Sequence, residues 1–214
     1  VYVVGSEVPI PGGAQEAEEG IAVTEPSDLD HTLHAFRDAF LSRGLEAAWE
    51  RVVAVVVQPG VEFGSDSVFD YSRSSAAKIT SALHRYDRLV LEGHSTDYQT
   101  RYALREMVED GVAILKVGPA LTFAVREGLF ALECIERELF SDTEASLSGF
   151  RAVLEASMLR DDKYWRKHYH GTESQQKYDR AFSLSDRARY YLTDGEVRSS
   201  CLLYTSDAAD ERSS

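Results

Sequence analysis

The sequence predicts an α/β fold built on a parallel sheet, and three observations carry that reading. Short runs rich in Val, Ile and Leu recur, VYVVGSE at residues 1–7, VVAVVVQ at 52–58, LVLEG at 89–93 and VAILKVG at 112–118. Apolar residues that continue along a strand, rather than alternate, mark strands buried on both faces. A helical pattern follows each run, and strands that alternate with helices imply right-handed crossovers onto one sheet. Each run also ends in polar or ionisable residues, at the carboxyl ends of strands where such folds place their chemistry.

The elements follow in order. The first strand, over residues 1–6, ends at Glu7 and passes into the loop VPIPGGAQ, whose Pro and Gly exclude regular structure. Ser27 is expected to cap a helix with Leu29, Leu33, Phe36 and Phe40 on one face, and Gly44 to stop it. A short helix over 45–51 delivers the second strand, 52–57, which Gln58-Pro59-Gly60 ends because proline cannot extend a central ladder. Next come a helix over 74–86, a strand over 89–92, and a helix over 100–109 that turns Tyr102 and Met107 inward. The fourth strand, 112–117, turns at Gly118-Pro119 into a long helix over 121–139. Further helices are expected over 145–159 and 162–168.

Four βα units make either a small open sheet or half of an eight-stranded barrel, since a complete TIM (β/α)8 barrel takes about 250 residues. A chain that opens at Val1 inside a strand, without an initiator Met, favours the half barrel. The expected organisation is the C-terminal half of a TIM barrel over 1–140 with a helical extension over 141–200. Residues 201–211, CLLYTSDAADE, read as the forward translation of a transposase-derived sequencing adapter, so 201–214 are expected to be non-native.

Composition narrows the function classes. A chain of 214 residues with 43% hydrophobic residues suits one domain with a real core. No apolar run approaches the roughly 18 residues of a membrane span. A net charge of −13 argues against a nucleic-acid surface, which needs clustered Lys and Arg. Two cysteines cannot form a disulfide framework, so a reducing, cytoplasmic compartment is expected, with Cys134 a small buried hydrophobe in its helix.

The strand ends supply the candidate ligand-binding residues Glu7, Gln58, Glu62, Glu92, His94, Ser95, Asp97, Lys116, Gly118 and Thr122. His94, in EGHSTD between Glu92 and Asp97, has the chemistry of a general base or a divalent-metal ligand; the alternative is a histidine held by its carboxylate neighbours. Catalytic zinc takes three protein ligands. His31, His34, His84, His168 and His170 lie in helical or basic aromatic segments and read as surface or packing groups. Lys116 either forms a Schiff base with a sugar carbonyl or neutralises nearby anions. Gly118-Pro119 leads into a helix whose free N–H groups suit a phosphate, with Ser95, Thr96 and Thr122 as hydroxyl donors. Glu7 and Glu62 either orient sugar hydroxyls or cap a helix. No G-x-x-x-x-G-K-[ST] loop is present. Tyr164, Trp165, Tyr169, Tyr190 and Tyr191, interleaved with Lys and Arg, suit an interface or the docking of a terminal helix.

The stretches VVGSEVPIPGGAQ, VVAVVVQPGVEFG, EGHSTDYQT, ILKVGPALTFAVREGLFAL and SLSDRARYY resemble the GatZ/KbaZ family, from Val1 to about Ser200. That family comprises non-catalytic subunits of class II D-tagatose-1,6-bisphosphate aldolase. The resemblance implies a TIM barrel of which this chain is the second half, and a cytoplasmic role in galactitol catabolism and D-tagatose 6-phosphate degradation. It implies a catalytic class II aldolase subunit as partner, stabilised and brought to full activity by the chain. A bound sugar phosphate, or zinc in the intact protein, is a further expectation. The alternative is a metal-dependent ketose-phosphate aldolase or isomerase in its own right.

Overall fold

The computed structural model describes residues 1–6, 21–142 and 147–210, the last eight of these by backbone alone. In chain order the elements are β1 (Tyr2–Val4), α1 (Pro26–Leu41), α2 (Glu46–Trp49), β2 (Val52–Val57), β3 (Glu62–Phe63), β4 (Val68–Phe69), α3 (Arg73–Leu83), β5 (Val90–Gly93), α4 (Arg101–Glu109) and β6 (Val112–Leu115). Then follow α5 (Pro119–Leu139), α6 (Phe150–Arg160), α7 (Glu173–Phe182), a 3-10 helix (Arg187–Tyr191) and α8 (Gly195–Asp210). The chain groups into two compact units, residues 1–118 and 119–214. This grouping places α5 with the helices that follow it.

In the first unit four strands form a parallel sheet in the order β1-β2-β5-β6. Spatial order repeats chain order, with no reversal. Val55 aligns with Leu91 and Val4, and Leu91 with Val112. All four are buried in one core with Leu29 and Leu33 of α1, Ala76 and Ile79 of α3, and Met107 of α4. Val56 and Glu92, the next aligned pair, therefore turn to the opposite face, because side chains alternate along a strand; a shift of register between Leu91 and Glu92 sets Glu92 beside Ile114. Gly5 belongs to that face: a Cβ there would stand 2.5 Å from Val56 Cβ, so only glycine lets the two chains approach.

Several expectations are corrected. Ser27 lies inside α1; the N-cap is Glu25, without a side-chain cap bond, because Pro26 opens the helix with its fixed φ and absent N–H. Side-chain caps that the sequence reading did not name stand at α3 and α4, from Ser72 and Thr100. Met107 is buried, but Tyr102 is 79% exposed. Five residues of helix turn through about 140°, so the two cannot share a face. Cys134 is exposed, on the same helix as exposed Leu121, Val125, Leu132 and Ile135. Residues 162–168 form turns rather than a helix, although Trp165 within them is buried. The β3–β4 hairpin, α7 and the 3-10 helix had no counterpart in the sequence reading.

The second unit packs differently. Its core joins Phe150, Leu154 and Met158 of α6 to Trp165, Tyr169 and Tyr191. Trp165 Nε1 donates to Met158 O at 2.6 Å. Arg126 and Asp186, both buried, pair at 2.9 Å, and Arg126 also donates to Ala181 O.

Candidate functional site

The carboxyl ends of β2, β5 and β6 carry the polar rim that the sequence singled out. Glu92 and His94 sit on alternate positions of the β5 end, and so on one face. Glu92 Oε1 lies 2.8 Å from His94 Nε2, with both side chains largely shielded from solvent. A carboxylate only accepts, so Nε2 donates its proton to Glu92. His94 Nδ1 is buried and has no hydrogen-bond partner among the described residues. A buried polar atom left open in this way costs free energy unless a ligand or solvent satisfies it. It is the strongest chemical feature of the rim.

The β5–α4 loop that follows is held in an unusual path. Ser95 and Tyr98 both have positive φ, 53° and 63°, in residues other than glycine. Such conformations persist where surrounding contacts over-determine them, and they gather at functional sites. Here Thr96 Oγ1 donates to Lys116 O at 3.0 Å and Asp97 Oδ1 accepts from Gly118 N at 2.8 Å. Both side chains are buried, and together they bolt the loop to the end of β6. On the other flank Gln99 accepts from Tyr71 N at 2.9 Å and donates to Phe69 O at 2.9 Å. Phe63 and Tyr98 pack edge to face at 5.5 Å. Gln99 and Tyr98 were missed by sequence reasoning; the non-repeating spacing of a loop carries no signal for either.

The remaining candidates divide. Lys116 is exposed, two positions beyond Ile114 on the Glu92 face, and its ammonium has no partner among the described residues. Gln58 Oε1 accepts from Gly60 N and Val61 N at 2.8 and 3.0 Å, so its carbonyl builds the turn after β2. Glu62 is buried in the hairpin, where Oε1 accepts from Phe63 N at 3.0 Å. The Gly118 N–H expected to meet a phosphate is already bonded to Asp97. Thr122 belongs to the second unit, where its hydroxyl lies 2.6 Å from Asp186 Oδ2. Glu7 lies outside the described residues. The rim therefore brings together Glu92, His94, Thr96, Asp97 and Lys116. A separate cavity of about 380 Å³, lined by Leu33, Trp49, Val52, Tyr86 and Leu89, opens at the amino ends of the strands and lacks these groups.

Among the described residues no three His, Cys, Asp or Glu side chains gather into a metal-holding group. The described rim offers His94 as one nitrogen donor and does not by itself fit zinc, which takes three protein ligands at a catalytic site. Among the described residues no helix is long and apolar enough to cross a membrane.

Comparison with known proteins places this geometry. A solved structure of a probable tagatose 6-phosphate kinase from Sinorhizobium meliloti 1021 is 42% identical, with a TM-score of 0.83. The match covers 94% of this chain and 48% of that one, so the chain spans about half the length of this relative. The family model for D-tagatose-1,6-bisphosphate aldolase subunits of the GatZ/KbaZ type matches residues 1–208. With nearly its whole length matched, and with the strand-end motifs built as the rim described above, the chain belongs to the GatZ/KbaZ-like family of D-tagatose-1,6-bisphosphate aldolase subunits.

Proposed function

We propose that this chain forms part of an accessory subunit of a class II tagatose-1,6-bisphosphate aldolase, acting in the cytoplasm in sugar and polyol breakdown. Its task is to stabilise a separate catalytic subunit and raise that partner's activity. The observation that carries the reading is membership of the aldolase-subunit family along residues 1–208. The same reading takes the sheet as part of an eight-stranded barrel. Support comes from the order β1-β2-β5-β6, which follows the chain without the reversal that defines a doubly wound sheet. The β1 edge, where Val1, Tyr2 and Val3 are exposed, is then where further strands add. The test is co-elution of the protein with a catalytic class II aldolase subunit, together with the heat tolerance of that subunit. The expected result is a stable complex and slower thermal inactivation. Separate elution and unchanged inactivation would contradict it.

A second reading is favoured by one specific observation, the open Nδ1 of His94 backed by Glu92. Here the rim binds a phosphorylated ketose, with His94 accepting a hydroxyl proton and Lys116 facing the phosphate. His94→Ala would then abolish ligand binding measured by calorimetry, and Lys116→Gln would weaken it. Binding untouched by either change would remove this reading.

A further inference from the structure

We propose that the second unit carries an anion site between α6 and α7, suited to a small organic phosphate with an apolar body. The cavity there has a volume of about 490 Å³, within the range of small-molecule pockets. Phe130, Leu154 and Met158 contribute apolar surface. Arg137, Arg151, Lys177 and Arg180 line it against a single lining carboxylate, Glu155. This is a cationic pocket on a chain whose net charge is −13.

The four cations are not equivalent. Arg180 is buried and spent: its Nε and Nη2 reach the Glu155 carboxylate at 3.0 and 2.7 Å. Arg137 pairs with Glu133. Arg151 and Lys177, in contrast, have no carboxylate or hydrogen-bond partner for their side chains among the described residues. The Arg151 guanidinium sits 5.2 Å from the centroids of both the Phe130 and the Phe182 rings. Two aromatic faces hold its plane while leaving its N–H donors unused. A planar fork fixed in this manner loses little entropy when it binds an oxyanion, and it matches phosphate with two parallel hydrogen bonds. Lys177 adds a mobile point charge from the neighbouring helix. The apolar residues set the preference for an ester over the free ion.

Calorimetric titration of the whole protein with phenyl phosphate, inorganic phosphate and phenol tests the site. Saturable binding is expected for phenyl phosphate, weaker binding for inorganic phosphate and none for phenol. Lys177→Gln, at an exposed position that cannot unfold the chain, should weaken phenyl phosphate about tenfold or more. Arg151→Lys, which keeps the charge and removes the fork, should do the same. Lys116→Gln, which the rim reading expects to weaken binding of a ketose phosphate, should leave phenyl phosphate binding at this pocket unchanged, so failure here and failure of the rim reading are separable. Absence of saturable binding would overturn the proposal. Binding indifferent to Lys177→Gln and Arg151→Lys, or lost with Lys116→Gln, would overturn it as well.

Discussion

The two compact units solve the problem of an interior in different ways. The core of the first is aliphatic: Val55, Val57, Ile79, Leu91 and Val112 are at most 2% exposed and meet across strand and helix. The core of the second is aromatic and charged, with Trp165, Tyr169 and Tyr191 beside the Arg126–Asp186 pair and the half-shielded Arg180–Glu155 pair. Arg126 lies 4.6 Å from the Phe123 ring and Arg180 lies 4.5 Å from Trp165, so each guanidinium has an aromatic face as well as a carboxylate. Non-directional burial stabilises the first unit, and specific geometry the second. An aliphatic core tolerates changes that keep volume. A core of paired charges does not tolerate loss of one partner.

The sharpest way to break this comparison is Arg126→Ala. It leaves Asp186 buried without its cation and should cost about 3–5 kcal/mol in the second unit. Denaturant melts followed by Trp165 fluorescence would measure it. Arg126→Met combined with Asp186→Asn removes both charges and should recover much of that loss; a double variant as unstable as the single would show that shape, not charge, sets the cost. Next in size is Leu91→Ala in the first unit, with a cavity and transfer cost of about 2–5 kcal/mol, while Leu91→Met should cost less than about 1.5 kcal/mol.

A pH effect distinguishes the units further. Burial, followed by the nearby Arg187 charge, holds the His168 imidazole below its ordinary range. Below the usual histidine value the unfolded chain binds the proton more readily than the folded one, so stability rises with pH through that window. The contribution is present above about pH 6.5 and is lost as pH falls toward the folded-state value. His168→Gln should flatten the dependence of the melting midpoint between about pH 5 and pH 7. An unchanged slope would assign it to other groups. The smallest expected effect is Thr100→Ala, which removes the cap bond to Ala103 N at 3.1 Å and should cost about 1 kcal/mol.

The same contrast explains what could be read in the sequence. VVAVVV specified β2 to the residue, because its apolar run admits no other burial. The helix expected over 100–109 is α4 to within a residue, with Thr100 as its N-cap rather than its first turn. Tyr102 misled because hydrophobic type was taken for inward direction, against the helical period. The second unit was poorly legible: buried Arg126 and Arg180 look like surface residues in any hydropathy pattern, and α7 (ESQQKYDRAF) is too polar to show an apolar stripe. At the rim, strand-end position pointed to Glu92, His94, Asp97 and Lys116. It could not show that Asp97 is committed to Gly118, or that Gln99 fastens the hairpin, because both depend on partners more than 20 residues away in sequence.

We propose that the protein serves an aldolase whose chemistry resides in a separate catalytic subunit. Cleavage of tagatose 1,6-bisphosphate by the protein alone, by that subunit alone and by the two mixed tests it most directly. The prediction is no turnover by the protein alone and a mixture that exceeds the catalytic subunit by itself. Turnover by the isolated protein, lost on His94→Ala, would contradict it.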